Sequence, residues 1–183
     1  MRIIGGTAKG HTIKAPKGVD TRPTLDRVRE SVFNVLSNRG MFGTHVLDIF
    51  SGTGAVAIEA LSRGAAHAVA VDFKTGKLIL ENAKHCRVDD RLEIIPRKLS
   101  QLKNYIVGRQ FDYIFSDPPY ENGFIQETID FVVAHDALAD DGVLVLEHHK
   151  DEAFTMPPKW ECIKEQKFGY TLVSYFVKHS ERS

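Results

Sequence analysis

From Val46 to Glu147 the chain alternates short apolar runs with segments whose apolar residues recur every three or four positions. Runs near 46–50 (VLDIF), 68–73 (AVAVDF), 92–96 (LEIIP), 111–116 (FDYIFS) and 142–147 (GVLVLE) have the length and composition of strands. Helices are predicted between them near 55–63, 74–86, 98–104 and 122–137. In the last of these, Phe124, Thr128, Phe131, Val132 and His135 fall on one face. Strand, helix, strand in series predicts an α/β fold: a parallel sheet with right-handed crossovers and helices on both faces. The AVAV and VLVLE runs lack polar alternation, as strands covered on both sides do.

Both ends depart from this rhythm. Residues 160–168 (WECIKEQKF) and 171–179 (TLVSYFVKH) flank Gly169-Tyr170 and predict a hairpin that extends the parallel sheet to seven strands of mixed direction. At the other end, Gly5-Gly6, Gly10 and Pro16-Lys17-Gly18 punctuate two short extended pieces. "RPTLDRVRESVFNVL" then predicts a helix capped by Thr24, with Asp26 in its first turn and an apolar stripe of Val28, Val32, Val35 and Leu36. Arg22, Arg27 and Arg29 need not lie on that stripe and are expected to face outward. The chain divides into an amino-terminal arm and helix, residues 1–40, and a main domain, residues 41–183.

Charge sharpens this division. The formal net charge is zero, yet residues 1–30 carry seven Lys/Arg against three acids, which leaves +4 there and −4 in the remainder. A basic arm of this kind suits a polyanion. The 183 residues form one full-sized core. No run approaches the roughly 18 apolar residues that cross a bilayer, and the two cysteines, Cys86 and Cys162, form no CxxC pair. A reducing cytoplasm and a monomer are expected.

Two stretches carry chemistry. In "VLDIFSGTGAVAIEALSRGA" a strand ends at Asp48-Ile49-Phe50 and turns through Ser51-Gly52-Thr53-Gly54 into a helix. Glycine there admits a ligand close to the backbone, next to the free N–H groups of a helix start. Asp72, 20 residues after Gly52 at the end of the next strand, can accept hydrogen bonds from ribose hydroxyls or cap the helix that follows. These features leave a nicotinamide dinucleotide and S-adenosylmethionine open. Asp48 favours the second, because a carboxylate suits an ammonium and repels a pyrophosphate.

The other stretch is "FDYIFSDPPYENG". Proline ends a central strand, so Pro118 leaves Asp117 at the carboxyl edge of the sheet, where ligands bind in open α/β folds. The Asp117 carboxylate and Pro118 carbonyl can each accept one N–H of an aryl amine, which aims the nitrogen lone pair at an electrophilic methyl. Tyr120 offers a face for stacking a base. A base reaches such a pocket only when unpaired or swung out of its helix. His148 and His149 are adjacent on a strand and point to opposite faces, so no metal is expected there.

"RIIGG", "RPTLDRVRESVFNVL", "LDIFSGTGAVAIEALSRGA" and "SDPPY" occur here in the order found in the RsmD family of bacterial 16S rRNA guanine-N2 methyltransferases, and the chain resembles that family over nearly its whole length. The resemblance implies the Rossmann-like class I methyltransferase fold and S-adenosylmethionine as donor. It implies a guanine of 16S rRNA, in the small ribosomal subunit or its assembly intermediate, as acceptor. Asp117, Pro118, Pro119 and Tyr120 match the catalytic motif. Asp48, Phe50, Ser51, Gly52, Gly54, Asp72 and Phe73 fall at cofactor positions, and Arg22, Thr24, Arg27 and Arg29 are the candidates for contact with RNA. The pair Arg97-Lys98 stands where such enzymes often carry an acid or amide beside the adenine amine. A DNA adenine-N6 methyltransferase and a noncatalytic RNA-binding assembly factor are the alternatives.

Overall fold

The computed structural model describes residues 1–17, 23–120 and 122–179. Seven strands form one sheet: β1 (His45–Ile49), β2 (His67–Val71), β3 (Leu92–Ile95), β4 (Phe111–Ser116), β5 (Leu138–His149), β6 (Trp160–Phe168) and β7 (Thr171–Lys178). Their spatial order is β3-β2-β1-β4-β5-β7-β6. The first five are parallel, and β7 and β6 add an antiparallel hairpin at one edge. The chain winds outward from β1 to β3 and then returns to lay β4 against β1. This reversal opens a crevice at the carboxyl ends of β1 and β4.

Helices cover both faces. α1 (Pro23–Ser37), α2 (Ala55–Ser62) and α3 (Gly76–His85) lie on one; α4 (Lys103–Ile106) and α5 (Phe124–Ala134) lie on the other. Alternation along the strands sorts their side chains accordingly. Val46, Phe115, Val145 and Val173 pack towards Val32, Phe33 and Ile58. Leu47, Ile114, Leu146 and Phe176 pack towards Ile106, Ile125 and Ile129. The central strands are buried on both sides, which is why they read as unbroken apolar runs.

Three elements differ from the sequence expectation. β5 starts at Leu138, not 142, because Leu138 pairs with Phe111 across a register irregularity that skips the polar Asp140-Asp141. The helix predicted over 98–104 is a 3-10 turn, Leu99–Gln101, followed by the single-turn α4. The helix predicted over 122–137 is shorter, beginning after Gly123 and ending at Ala134.

The amino-terminal segment belongs to the core. Arg2 bridges Thr12 in antiparallel fashion, and Ile3, Ala8 and Ile13 are buried against α2 and α3. Its anchor is Glu59, an acid in the otherwise apolar α2 and fully buried. The Glu59 carboxylate accepts from the backbone N–H groups of Ile4 and Gly5, and Arg29 and Arg63 pair with it at 3.3 and 3.4 Å. Arg29 also donates to the Arg2 carbonyl and pairs with Asp26. A buried carboxylate needs a cation and hydrogen bonds together, and here both come from segments distant in sequence.

Candidate active site

The crevice at the switch point is built from the ends of β1, β2, β4 and β5. β1 and β4 are in register, with Ile49 opposite Ser116, so Phe50 faces Asp117 on the next rung. The turn after β1 is tightly wound. Phe50 has φ 60°, a left-handed conformation uncommon for a bulky residue. Gly52 and Gly54 follow at φ 58° and 81°. A Cβ at Gly54 would lie 2.9 Å from Cγ2 of Ile79, so this glycine serves both backbone conformation and close packing on α3.

Asp48 fastens the turn from below. It is buried; its Oδ2 accepts from the Ser51 hydroxyl at 2.6 Å and the Ala57 N–H at 3.3 Å. Burial, only partly offset by these hydrogen bonds, pushes its carboxyl up to about 7. Asp72 fastens the turn from the side. Its Oδ2 accepts from Gly52 N–H at 3.1 Å, and its Oδ1 from the N–H groups of Lys74 and Thr75 at 2.9 and 3.1 Å. The acid therefore joins the glycine turn to the start of α3. Only Oδ2 retains a lone pair for a further donor.

Two adjoining cavities meet here. The larger, about 780 Å³, is lined by Asp72, Phe73, Arg97 to Ser100, Asp117 to Tyr120, Phe124 and Glu147 among others. The smaller, about 330 Å³, runs beneath α1 and is lined by Asp48, Phe50 to Thr53, Phe115, Asp117 and Glu147. Leu25, Phe50, Asp117 and Glu147 border both. Asp117 thus joins the Asp-Pro-Pro-Tyr segment of the larger cavity to the glycine turn of the smaller one.

Asp117 is exposed at the crevice, which it lines from both cavities. The protein packed around it disfavours the charged form and raises its carboxyl above the usual carboxylate range. Glu147 is raised as well, by burial first and by the Asp117 charge second. Ser116 pairs with Leu146, which puts Asp117 and Glu147 on the following rung of neighbouring strands. Alternation sends both towards the α1 side of the sheet, below Phe115 and Val145. Glu147 ends the VLVLE run yet has no role in the sequence reading. Its signal was present: a single acid closing a strand otherwise buried on both faces.

The remaining candidates divide. Tyr120 is exposed at the rim, with its hydroxyl 2.7 Å from the Thr171 hydroxyl and its ring edge-on to His149. Phe73 is half-exposed on the cleft wall, with the ammonium groups of Lys74 and Lys98 at 5.0 and 5.3 Å from its ring centre. Arg97 turns its guanidinium back to the Pro96 carbonyl. Arg27 is exposed on α1. Arg22 lies outside the described residues, as does the side chain of Thr24. Arg29 does not face outward: it is buried and committed to Glu59, which corrects the expectation of an RNA contact. The helical stripe could not show this, because Arg29 follows the apolar Val28 and its partner comes from α2. His148 is buried and bonds Ser174, while His149 stacks on Tyr170, so the two rings point apart.

A family model described as conserved hypothetical protein 95 matches residues 1–177. YlbH of Bacillus subtilis, provisionally named an rRNA methyltransferase, is 34% identical over 183 residues, covering 97% of this chain and 99% of its own. The ribosomal RNA small subunit methyltransferase D of Escherichia coli K12 is 29% identical over 184 residues, covering 99% and 91%. The solved structure of yhhF from Escherichia coli, provisionally named a methyltransferase, superposes with a TM-score of 0.87 at 29% identity, covering 99% of each chain.

Proposed function

This chain belongs to the RsmD family, that of the conserved hypothetical protein 95 model, and on that premise we propose that it transfers a methyl group from S-adenosylmethionine to the exocyclic N2 of a guanine in 16S rRNA of the small ribosomal subunit. Its sheet has the class I methyltransferase arrangement. The observation that carries the reading is the meeting of Asp117 with the glycine turn at one crevice, on neighbouring rungs of β1 and β4.

The residues present fit the donor. The crevice combines acids for an ammonium and a sulfonium, a positive-φ glycine turn open to a ligand, and an apolar wall at Phe73 and Leu99 for a purine. Asp48 and the turn at 51–54 would hold the amino-acid end. Asp72 Oδ2, with its remaining lone pair, would take one ribose hydroxyl. When bound, S-adenosylmethionine supplies an electrophilic methyl group.

The chain's own residues do the rest. The Asp117 carboxylate and Pro118 carbonyl accept the two N–H bonds of the guanine amine, which withdraws its lone pair from the ring and fixes its direction. Positioning of this kind supplies several kcal/mol. The methylated amine is strongly acidic, and a carboxylate with a raised pKa is a competent acceptor for its proton. Tyr120 stacks the extruded base at the rim, a contribution of roughly 1–3 kcal/mol. Arg27, with the basic arm before it, meets phosphates.

The test is to incubate the protein with labelled S-adenosylmethionine and small subunits lacking the modification, then map the labelled base by mass spectrometry. Label on N2 of one guanine is the expected result. Label on N6 of adenine, or none in the ribosomal RNA, overturns the reading.

A further inference from the structure

Glu147 has no part in the chemistry above, yet it occupies the rung beside Asp117 and borders both cavities. We propose that Glu147 is the residue that selects guanine: its carboxylate accepts the N1–H that lies next to the amine held by Asp117. This rests on the guanine-N2 reading of the site.

Three observations converge on it. First, neighbouring strands run about 4.8 Å apart, so two carboxylates on the same face and the same rung of adjacent strands are spaced to meet two adjacent donors on one base edge. Second, no cation is paired with Glu147 among the described residues, and the charge that acts on it is that of Asp117, of the same sign. Arg29, a buried cation that lines the smaller cavity, is spent on Glu59 and Asp26. An acid kept in such surroundings without a partner is suited to one that arrives with a ligand. Third, its neighbours in the sheet on that face, Val145 along β5, Val173 across on β7 and Phe115 on β4, are apolar.

The chemistry is selective. Guanine presents a donor at N1 beside its amine. Adenine presents a lone pair at N1 beside its amine, which a carboxylate repels. Asp117 alone grips either amine, so a second group must distinguish them, and a mismatch that leaves a buried acceptor unpaired is costly. A proton on Glu147 would invert the preference by making it a donor. A sulfonium in the same crevice opposes that proton, because its positive charge favours the ionised acid.

The test compares guanine with 2-aminopurine, which keeps the C2 amine but carries a lone pair at N1. Each is placed at the mapped position in otherwise identical reconstituted small subunits. Wild-type protein is expected to prefer guanine by roughly 100-fold or more. Glu147→Gln can donate to the N1 lone pair and should narrow that ratio at least tenfold; Glu147→Ala should narrow it less. Because both rates come from the same preparation, the ratio is independent of how much variant folds. An unchanged ratio in both variants overturns the proposal. If wild-type protein leaves N2 of guanine unmethylated, the failure lies instead with the reading it rests on.

Discussion

The molecule gathers acids in two places and treats them oppositely. Around Glu59, every charge has an answer: two backbone N–H groups, Arg29 and Arg63 converge on one carboxylate. At the carboxyl ends of β1, β4 and β5, Asp48, Asp117 and Glu147 gather without an ion pair among the described residues, because Arg29, which lines the same cavity, is held by Glu59 and Asp26. The first arrangement is complete in the folded chain and holds the amino-terminal segment, α1 and α2 together. The second is incomplete without something positive or rich in donors. The same residue type is structure where its partners come with the fold and a site where they do not.

Removing Asp117 should produce the largest effect. Asp117→Ala is expected to lower methyl transfer by about 10³-fold or more, about 4 kcal/mol. The dissociation constant for S-adenosylmethionine, measured by calorimetry, should change less than about threefold. Equal losses in both would assign Asp117 to the donor and remove the contrast between grip and cofactor binding. On the other side of the comparison, Arg29→Ala strips a buried carboxylate of one of its two cations and should destabilise the fold by about 3 kcal/mol in urea titration. A variant that unfolds like wild type but binds ribosomal RNA more weakly would restore Arg29 to the RNA surface.

The sequence was most readable where one physical constraint dominated. Strands covered on both faces must be apolar throughout, and 46–50, 68–73 and 111–116 fall within two residues of β1, β2 and β4. Proline stops a central strand, which located Asp117 at the sheet edge. The seven-stranded class I arrangement followed from element order. What escaped was pairing across distance. That Arg29 reaches Glu59 depends on how α1 crosses α2, and nothing in either helix alone encodes the crossing. The oddity of Glu59 within AVAIEALS was visible, but its partners were not. Glu147 escaped for a related reason: its meaning depends on the register of β5 against β4. Asp72 was readable as two alternatives, and its hydrogen bonds fasten the loop before α3 without capping the helix, whose N-cap position is Thr75.

The smallest effect is also the one that tests the contrast most directly, because it should have the opposite sign to the loss at Arg29. Glu147 sits above its ordinary carboxylate pKa in the folded protein, since burial and the Asp117 charge both disfavour ionisation. A carboxyl raised by folding favours the native state fully below its unfolded pKa, and that advantage is lost as pH climbs through the higher folded value. Wild-type stability should therefore decline from the usual carboxylate range upward through neutrality. Glu147→Gln keeps the shape, cannot ionise and escapes this part of the decline. The variant should match wild type near pH 4 and exceed it by roughly 1 kcal/mol near pH 8.5, a modest figure because the crevice is open to water. Denaturant titrations at the two pH values check it. A variant less stable than wild type at the higher pH would mean that Glu147 already has its partner within the folded chain, as Glu59 does, and that the crevice acids are structural after all.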